Sequence, residues 1–157
     1  MICQNCKKEI LEEYQLCQMI GSGSYSDIYL ICNNQSPKYI AKKLLMKDDS
    51  EFRKCKVINN IENVNFSKYI TTIENKIIYE YIDGYNLQYY FYNNDLKYFT
   101  KIILNVINQL LELKRQGYYY LDINKNNIII KNNIPYLIDY GTLTHISSFK
   151  VKNEMMV

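Results

Sequence analysis

The sequence predicts an α+β fold, with a small antiparallel β lobe that contains one helix and a largely helical lobe after it. Three observations carry this prediction. Alternating, β-prone stretches separated by turn residues dominate residues 13–83. Apolar residues recur at helical spacing once in that part and over a longer stretch of residues 84–157. Asp83-Gly84 is the predicted linker between the lobes, and residues 1–12 are a predicted N-terminal extension.

The first lobe is predicted to hold strands around a single helix. Residues 13–30 alternate and break at two glycines, which predicts strand, tight turn and strand. Residues 39–45 follow a turn cluster and form a third strand, and residues 69–73 and 76–82 form a hairpin. The helix between them is indicated by four apolar residues at helical spacing: Phe52, Cys55, Ile58 and Ile61.

The second lobe is predicted to start with a long amphipathic helix that ends at Gly117. Two short apolar strands follow over residues 128–130 and 136–138, joined by a turn at residues 131–133. The remainder, from residue 142, has weak periodicity. The apolar face of the long helix is formed by Phe99, Ile102, Ile103, Val106, Ile107, Leu110, Leu111 and Leu113.

Length and composition favour a folded protein outside the membrane. The chain has 157 residues, and an apolar fraction of 48% is enough for a real core. A formal net charge of +3 does not favour a nucleic-acid or membrane-surface binder. The apolar runs are too short to span a bilayer or to form a signal peptide. We expect a soluble cytoplasmic protein. Heavy use of Asn, Ile, Lys and Tyr indicates an A/T-rich source, such as a large DNA virus acting in a host cytoplasm or a protist.

The five cysteines do not predict a metal site. Cys17, Cys32 and Cys55 lie in predicted strands or helix, where a buried reduced thiol is the ordinary case. Cys3 and Cys6 have the spacing of half a zinc site, but structural zinc needs four ligands and no second pair follows. A reduced extension is the favoured interpretation, with a zinc shared between two chains as the alternative.

A glycine-rich segment between the first two predicted strands is the first candidate for binding chemistry. Glycines let the backbone approach phosphate groups and turn its N–H groups toward them, although a Gly-x-Gly pair also occurs in ordinary hairpin turns. Because a strand rather than a helix follows, a flap over a nucleotide is favoured over a dinucleotide-binding fold. The segment reads Ile20-Gly21-Ser22-Gly23-Ser24-Tyr25-Ser26-Asp27-Ile28.

The third predicted strand carries Ile40-Ala41-Lys42-Lys43. The small Ala41 leaves room for an adenine ring, and Lys43, two places on, can reach phosphate groups. A lysine on a strand is normally only solvated, so this interpretation depends on its distance after the glycine-rich segment.

Three polar residues in the second lobe suit phosphoryl transfer. Asp122 and Asn127 are separated by four residues, and Asp139 follows, in Asp139-Tyr140-Gly141. Phosphoryl transfer needs a carboxylate beside the attacking hydroxyl and oxygen ligands for magnesium. Asp122 suits the first role, and Asn127 and Asp139 suit the second. The alternative is two Asx-rich turns that flank a β-hairpin.

The order of these motifs resembles the protein kinase family, over most of the chain. The resemblance implies a kinase-like fold, ATP and Mg²⁺ as cofactors, and a protein substrate or partner kinase. It implies Tyr79 as gatekeeper, Asp122 as base, Lys43 on the α- and β-phosphates, and Asn127 and Asp139 on magnesium. Ile28 and Ala41 would enclose adenine. The implied ATP-binding residues are Ile20, Gly21, Ser22, Gly23, Ser24, Tyr25, Ser26, Ile28, Ala41, Lys43, Glu80 and Ile82, the last two through their backbone.

The chain departs from the family pattern in four ways. Tyr120-Leu121 replaces the usual His-Arg, and Asn124 replaces a lysine that stabilises the transferring phosphate. Cys55 stands where a glutamate should pair with Lys43, with Glu51 one turn earlier as a substitute and Glu62 about two turns later. The chain ends sixteen residues after Gly141, so the large lobe is expected to be truncated and the long helix to face a partner or a second copy.

Three functions fit this pattern. The first is an ATP-dependent phosphotransferase acting on Ser/Thr hydroxyls. The second is a catalytically weak or inactive truncated module that binds ATP or a partner kinase. The third is a small-molecule kinase of the aminoglycoside-phosphotransferase type, which shares the Asp-x4-Asn and the later Asp.

Overall fold

The computed structural model describes residues 15–33, 36–45 and 49–148, and within them it confirms the α+β fold. Three α-helices lie there: α1 (Asp49–Ile58), α2 (Leu87–Asn93) and α3 (Leu96–Arg115). A 3-10 turn covers Tyr140–Thr142. The strands are β1 (Gln15–Ser22), β2 (Ser26–Asn33), β3 (Ser36–Leu44), β4 (Tyr69–Ile73), β5 (Lys76–Glu80), β6 (Tyr85–Asn86), β7 (Tyr118–Tyr119), β8 (Ile128–Lys131), β9 (Ile134–Leu137) and β10 (Thr144–His145).

The chain divides into two compact units. The first contains the described residues up to Asn59 together with Ser67–Tyr81. The second contains Asn60–Phe66 and the described residues from Ile82 onward. The predicted lobe limits at residues 12 and 83 stay predictions.

The first unit is a five-stranded antiparallel sheet in the order β1-β2-β3-β5-β4, with α1 in contact with β4. Its three predicted strands, single helix and second hairpin are confirmed to within a few residues. Glu74 closes the β4–β5 turn with a left-handed backbone (φ 54°). Bulges interrupt β1 in its pairing with β2, so this hairpin is less regular than the alternating sequence suggests.

The two faces of this sheet differ in what they carry. Directly opposed residues of an antiparallel pair project to the same face. Ala41 opposes Tyr29 and Ile78, and it is buried in a cluster with Ile31, Tyr39 and Ile78. Lys42 opposes Ile28 and Ile77 and therefore projects to the other face.

The second unit is organised around α3, which confirms the predicted long helix. Asp95 caps its N-terminus by accepting from the Lys97 N–H. Gly117 follows its C-terminus with φ 85°, the left-handed conformation that glycine adopts readily. Ile102, Val106 and Leu113 are buried as predicted.

The β8–β9 hairpin confirms the predicted pair of short strands. Asn132 and Asn133 form its turn with φ of 51° and 62°, the backbone that a two-residue hairpin turn requires. The β6 strand adds to its edge, and β7 pairs with β10 in a separate two-stranded ribbon. None of the described helices is both long and apolar enough to cross a membrane.

The cysteines differ in part from expectation. Cys17 on β1 and Cys32 on β2 form a disulfide, with Cα atoms 6.0 Å apart, so the prediction of buried reduced thiols is wrong for this pair. Cys17 lies in a bulge of β1, between the residues that pair with Ile31 and Leu30, and Cys32 pairs with Gln15. Cys55 is a free, buried thiol, as predicted. Cys3 and Cys6 lie outside the described residues.

Candidate functional site

The glycine-rich segment forms the turn between β1 and β2. The Gly23 N–H donates to the Ser26 carbonyl at 3.0 Å, and the Ser22 hydroxyl donates to the Asp27 carboxylate at 2.8 Å. Tyr25, at the tip, is 73% exposed. A short exposed loop that closes a hairpin has the form that a flap over phosphate groups requires. Its role in binding stays a prediction.

A buried ion pair links β3 to α1, and its lysine is Lys42. Lys42 Nζ lies 2.7 Å from Glu51 Oε1, and the two side chains are 9% and 10% exposed. The contact has the distance of an ion pair, although Oε1 makes no hydrogen bond of regular geometry. The expectation that Glu51 would serve Lys43 is therefore wrong.

Ile28 and Ala41 lie on opposite faces of the first unit's sheet, so the prediction that they enclose one adenine ring is wrong. Ile28 shares its face with Lys42, its neighbour across β2 and β3. Ala41 is completely buried on the other face. Lys43 follows Ala41 by two residues and opposes Lys76, so it projects to the Ala41 face. The residue that replaces Ala41 on the Ile28 face is Ile40.

The predicted gatekeeper Tyr79 is fixed to α1. It opposes Ile40, and its hydroxyl lies 3.2 Å from the Cys55 thiol. Both residues are buried, and the Tyr69 ring packs edge-on against Tyr79. Burial raises the pKa of Cys55 to about 11, so the thiol stays protonated at neutral pH. Cys55, which stands where the family pattern has a glutamate, thus contacts Tyr79 rather than a lysine.

The predicted adenine-binding backbone groups belong to different units, Glu80 to the first and Ile82 to the second. In the first unit, the Glu80 N–H donates to the Lys68 carbonyl at 2.9 Å. The Glu80 carbonyl accepts from the Ser67 hydroxyl at 2.7 Å. A carbonyl oxygen has two lone pairs, so one acceptor position remains for a ligand. In the second unit, Ile82 is buried at 8% exposure.

Asp122 and Asn127 are in direct contact in the second unit. The Asn127 amide nitrogen donates to Asp122 Oδ2 at 2.7 Å and to the Asp122 carbonyl at 3.1 Å. The Asn124 amide nitrogen donates to Asp122 Oδ1 at 3.1 Å. Two side-chain amides therefore fix the orientation of the carboxylate. Each carboxylate oxygen keeps a further lone pair for an incoming hydroxyl.

Asp139 follows β9 and is tied to Asn127 through its neighbour Ile138. The Ile138 N–H donates to the Asn127 carbonyl at 3.0 Å. Asp139 is exposed and has a left-handed backbone, with φ 54° and ψ 69°. Tyr140 is 1% exposed, and its ring packs edge-on against Phe66 with the centroids 5.5 Å apart. The buried Tyr140 anchors the segment that presents the Asp139 carboxylate.

Asn127 and Asp139 have the donor atoms that magnesium prefers. The Asn127 amide nitrogen is directed at Asp122, which makes its oxygen the atom available to a metal; this assignment follows from the hydrogen bonds. Over the described part of the chain, no three His, Cys, Asp or Glu side chains converge on a metal site. Magnesium that is shared with phosphate groups needs only one or two protein ligands, so the residues fit the ion.

Sequence reasoning missed two contributors to these clusters. Lys42 is absent from the predicted site because the small residue two places before Lys43 sets the predicted register. The sequence carries no local signal for it, because only the pairing of β2 with β3 places Lys42 on the same face as Ile28. The family pattern marks Tyr120 only as a departure, yet its hydroxyl donates to the Ile138 carbonyl at 2.6 Å.

Comparison with known proteins gives distant matches over most of the chain. It is 24% identical to a probable serine/threonine-protein kinase of Dictyostelium discoideum, over 88% of this chain and 30% of the relative. It is 25% identical to serine/threonine-protein kinase ppk11 of Schizosaccharomyces pombe, over 92% and 51%. The chain is similar to serine/threonine protein kinases. Cyclin-dependent kinase F-4 of Oryza sativa subsp. japonica is 20% identical, over 88% and 33%.

This kinase-like relationship is distant. No protein-family model matches the chain. The chain spans about a third to a half of the length of these three relatives. The activity, substrates and partners of the whole relatives are therefore matters of proposal for this chain.

Proposed function

We propose that the chain binds Mg²⁺-ATP and transfers its γ-phosphate to Ser/Thr hydroxyls. The observation that carries the proposal is the linked arrangement of Asp122, Asn127 and Asp139 in the second unit. Its carboxylate, amide and carboxylate occur in the order of the kinase motifs, and hydrogen bonds join Asn127 to Asp122 and to the residue before Asp139. The similarity to serine/threonine protein kinases supports the same reaction.

Each residue has a defined task in this proposal. The Asp122 carboxylate, oriented by two amides, accepts the proton of the attacking hydroxyl. The Asn127 and Asp139 oxygens hold magnesium, which neutralises charge on the phosphate groups when it is bound. In the first unit, Lys42 takes the phosphate-positioning role that the sequence assigned to Lys43, because Glu51 holds its ammonium group. The glycine-rich turn covers the phosphates.

Two substitutions separate binding from transfer. Asp139→Asn is expected to weaken ATP binding in the presence of Mg²⁺, measured by calorimetry, because it removes an anionic metal ligand. Asp122→Asn is expected to retain binding and to lower phosphate transfer by about 10²–10⁴-fold, because it removes the base. Asp95→Asn is the matched control, since asparagine caps α3 as well as aspartate does.

Transfer is measured from γ-labelled ATP to a Ser/Thr peptide library and, separately, to aminoglycosides and sugars. Peptide phosphorylation that Asp122→Asn abolishes supports the proposal, whereas transfer to the small molecules alone would assign the third function. A wild-type chain that shows no Mg²⁺-ATP binding by calorimetry or thermal shift contradicts it.

A second candidate, nucleotide binding without transfer, is favoured by Asn124. Its amide contacts Asp122 where the family pattern has a lysine, so it supplies no positive charge beside the transferring phosphate. Under this candidate the chain serves a partner kinase as a binding module. Asn124→Lys distinguishes the two, because a gain of transfer at unchanged ATP affinity would identify the missing charge as the cause of inactivity.

A further inference from the structure

A disulfide crosses the hairpin that carries the glycine-rich segment. Cys17 of β1 and Cys32 of β2 lie near the open end of this hairpin, with Cα atoms 6.0 Å apart. The bond therefore closes a covalent ring that contains all of residues 20–28, with the turn at the opposite end. Cys17 is exposed and Cys32 is partly buried, so a reagent in solution can reach the bond.

The β1 strand has little besides the disulfide to hold it in place. None of its eight residues is buried, so the strand contributes no side chain to the core of the first unit. Within the described part of the chain it pairs with β2 alone, as the edge strand of the sheet, and two bulges interrupt that pairing. Segments with few buried apolar contacts open locally at a small cost in free energy. Breaking the covalent link therefore favours the opening of β1 over the opening of the inner strands β3 and β5.

The hydrogen bonds that shape the glycine-rich turn depend on the pairing of β1 with β2. The Gly23 N–H donates to the Ser26 carbonyl, and the Ser22 hydroxyl donates to the Asp27 carboxylate. Each bond joins a residue before Tyr25, at the tip, to a residue after it. Backbone N–H groups bind phosphate when the turn holds them in one concave arrangement. When β1 leaves β2, these bonds lose their support, so the state of the disulfide is coupled to the shape of the turn.

The third described cysteine does not take part in this chemistry. Cys55 is a free thiol buried in the same unit, and burial raises its pKa to about 11, so it stays protonated at neutral pH. Thiol–disulfide exchange requires a thiolate with access to a sulfur atom. Exposed disulfides are the labile and regulatory ones. A change of redox state therefore acts on Cys17 and Cys32 and leaves Cys55 as it is.

We propose that Cys17 and Cys32 form a thiol–disulfide switch that controls nucleotide binding by the glycine-rich turn, with the oxidised state as the tighter binder. The partner is a dithiol reductant. Its thiolate attacks the exposed Cys17 sulfur, the S–S bond breaks, and Cys32 leaves and takes up a proton. The second thiol of the reductant then displaces Cys17, so two electrons and two protons pass to the cysteine pair and the reductant becomes a disulfide. The inference rests on the proposed function for the identity of the ligand, Mg²⁺-ATP.

The test compares Mg²⁺-ATP binding by calorimetry in the oxidised protein and after reduction with dithiothreitol. Intact mass identifies each state, since reduction of the disulfide adds two hydrogens. The Kd is expected to rise about tenfold on reduction, which corresponds to a turn that is formed in about a tenth of the reduced molecules. Reoxidation with glutathione disulfide is expected to restore the affinity. Cys17→Ser/Cys32→Ser is the control, and it should bind like the reduced wild type under both conditions.

Amide hydrogen exchange of the unliganded protein separates a local switch from a global effect. Reduction is expected to speed exchange in residues 15–33 by a larger factor than in β3 and β5. Equal Mg²⁺-ATP affinity in the two redox states would overturn the inference alone and leave the proposed function intact. Equal acceleration throughout the first unit, or a reduced protein that unfolds, would also overturn it by making the disulfide a structural link of the whole unit. A wild type that binds no Mg²⁺-ATP in either state would overturn the proposed function, and the inference with it.

Discussion

At the residue scale, two adjacent lysines of β3 project to opposite faces of the sheet. We predict that Lys42→Met lowers the free energy of unfolding by about 3–5 kcal/mol, because Glu51 is left buried without its cation. Lys43→Met is expected to change it by less than about 0.5 kcal/mol. Urea denaturation of the two variants measures this difference directly.

The double variant Lys42→Met/Glu51→Leu separates stability from binding. Replacing both members of a buried ion pair with apolar residues is often nearly neutral, so most of the lost stability should return. Mg²⁺-ATP binding should stay weak, because the phosphate-positioning ammonium is still missing. Retained binding in this variant, with lost binding in Lys43→Met, would restore the original assignment to Lys43.

The two lysines show why a sequence predicts the position of a strand better than the face on which each side chain lies. Strand side chains alternate between faces, so a shift of one residue exchanges every inward residue for an outward one. Ala41 and Lys43 satisfy the expected small-x-Lys spacing, and nothing local distinguishes them from Ile40 and Lys42. Only the pairing of β3 with β2 and the position of Glu51 on α1 identify the face.

The buried thiol of Cys55 predicts that the free energy of unfolding depends on pH. Its pKa is raised from 9.0 to about 11 by burial, so between these values the unfolded chain binds fewer protons than the folded one. Stability is therefore lost as pH rises from 9 to 11, by up to about 2–3 kcal/mol for this thiol. The difference between wild type and Cys55→Ala in urea denaturation isolates that contribution. An unchanged difference across this range would show that the thiol is not buried in the folded state.

At the element scale, the disulfide joins the two strands that flank the glycine-rich turn. Cys17 and Cys32 are separated by 15 positions, a loop for which a disulfide contributes about 3 kcal/mol. Reduction is expected to lower the free energy of unfolding by that order and to raise the intact mass by two hydrogens. Cys17→Ser/Cys32→Ser is the control and should not respond to reductant through this pair. An intact mass that reductant leaves unchanged would show that the pair is already reduced.

A substitution at Gly84 tests whether the short strand β6 pairs with β8. A Cβ at this position would overlap the Ile130 carbonyl oxygen and lie 2.9 Å from Ile129 Cγ2, so Gly84→Ala must displace β6 from β8. The expected loss of stability is about 1–3 kcal/mol by thermal or urea unfolding. In Gly23→Ala the nearest atom lies 3.8 Å away, so this control should unfold like the wild type. Equal stability of both variants would contradict the pairing of β6 with β8.

Elements that are long enough to repeat an apolar pattern, or that carry a distinctive turn, were predictable from the sequence. Very short elements were not. The α3 helix repeats its apolar stripe over twenty residues, and the β8–β9 turn has two asparagines suited to a left-handed backbone. The two-residue strands β6, β7 and β10 contain too few residues to show alternation. The α2 helix has seven residues, four of them aromatic, a composition with little intrinsic helix preference.

At the scale of the whole molecule, an exposed apolar stripe on α3 bears on the predicted self-association. Leu104, Ile107 and Leu111 are 55%, 44% and 58% exposed at helical spacing. The stripe borders a groove of about 260 Å³ within the second unit, lined mainly by apolar and aromatic side chains that include Ile123 and Tyr118. Contiguous exposed apolar surface of this kind is typical of a protein–protein interface.

We predict that this surface joins two copies of the chain. Sedimentation velocity should show a weight-average mass that rises with concentration for the wild type, and Ile107→Glu/Leu111→Glu should remain monomeric because a charge cannot be buried there without a partner. Tyr92→Glu/Leu96→Glu is the matched control, since its two residues are 71% and 67% exposed outside the groove. Dissociation by both double variants would indicate general charge repulsion rather than this interface. A wild type that stays monomeric at all concentrations would leave the stripe to a different protein, which agrees with the second candidate function, binding to a partner kinase.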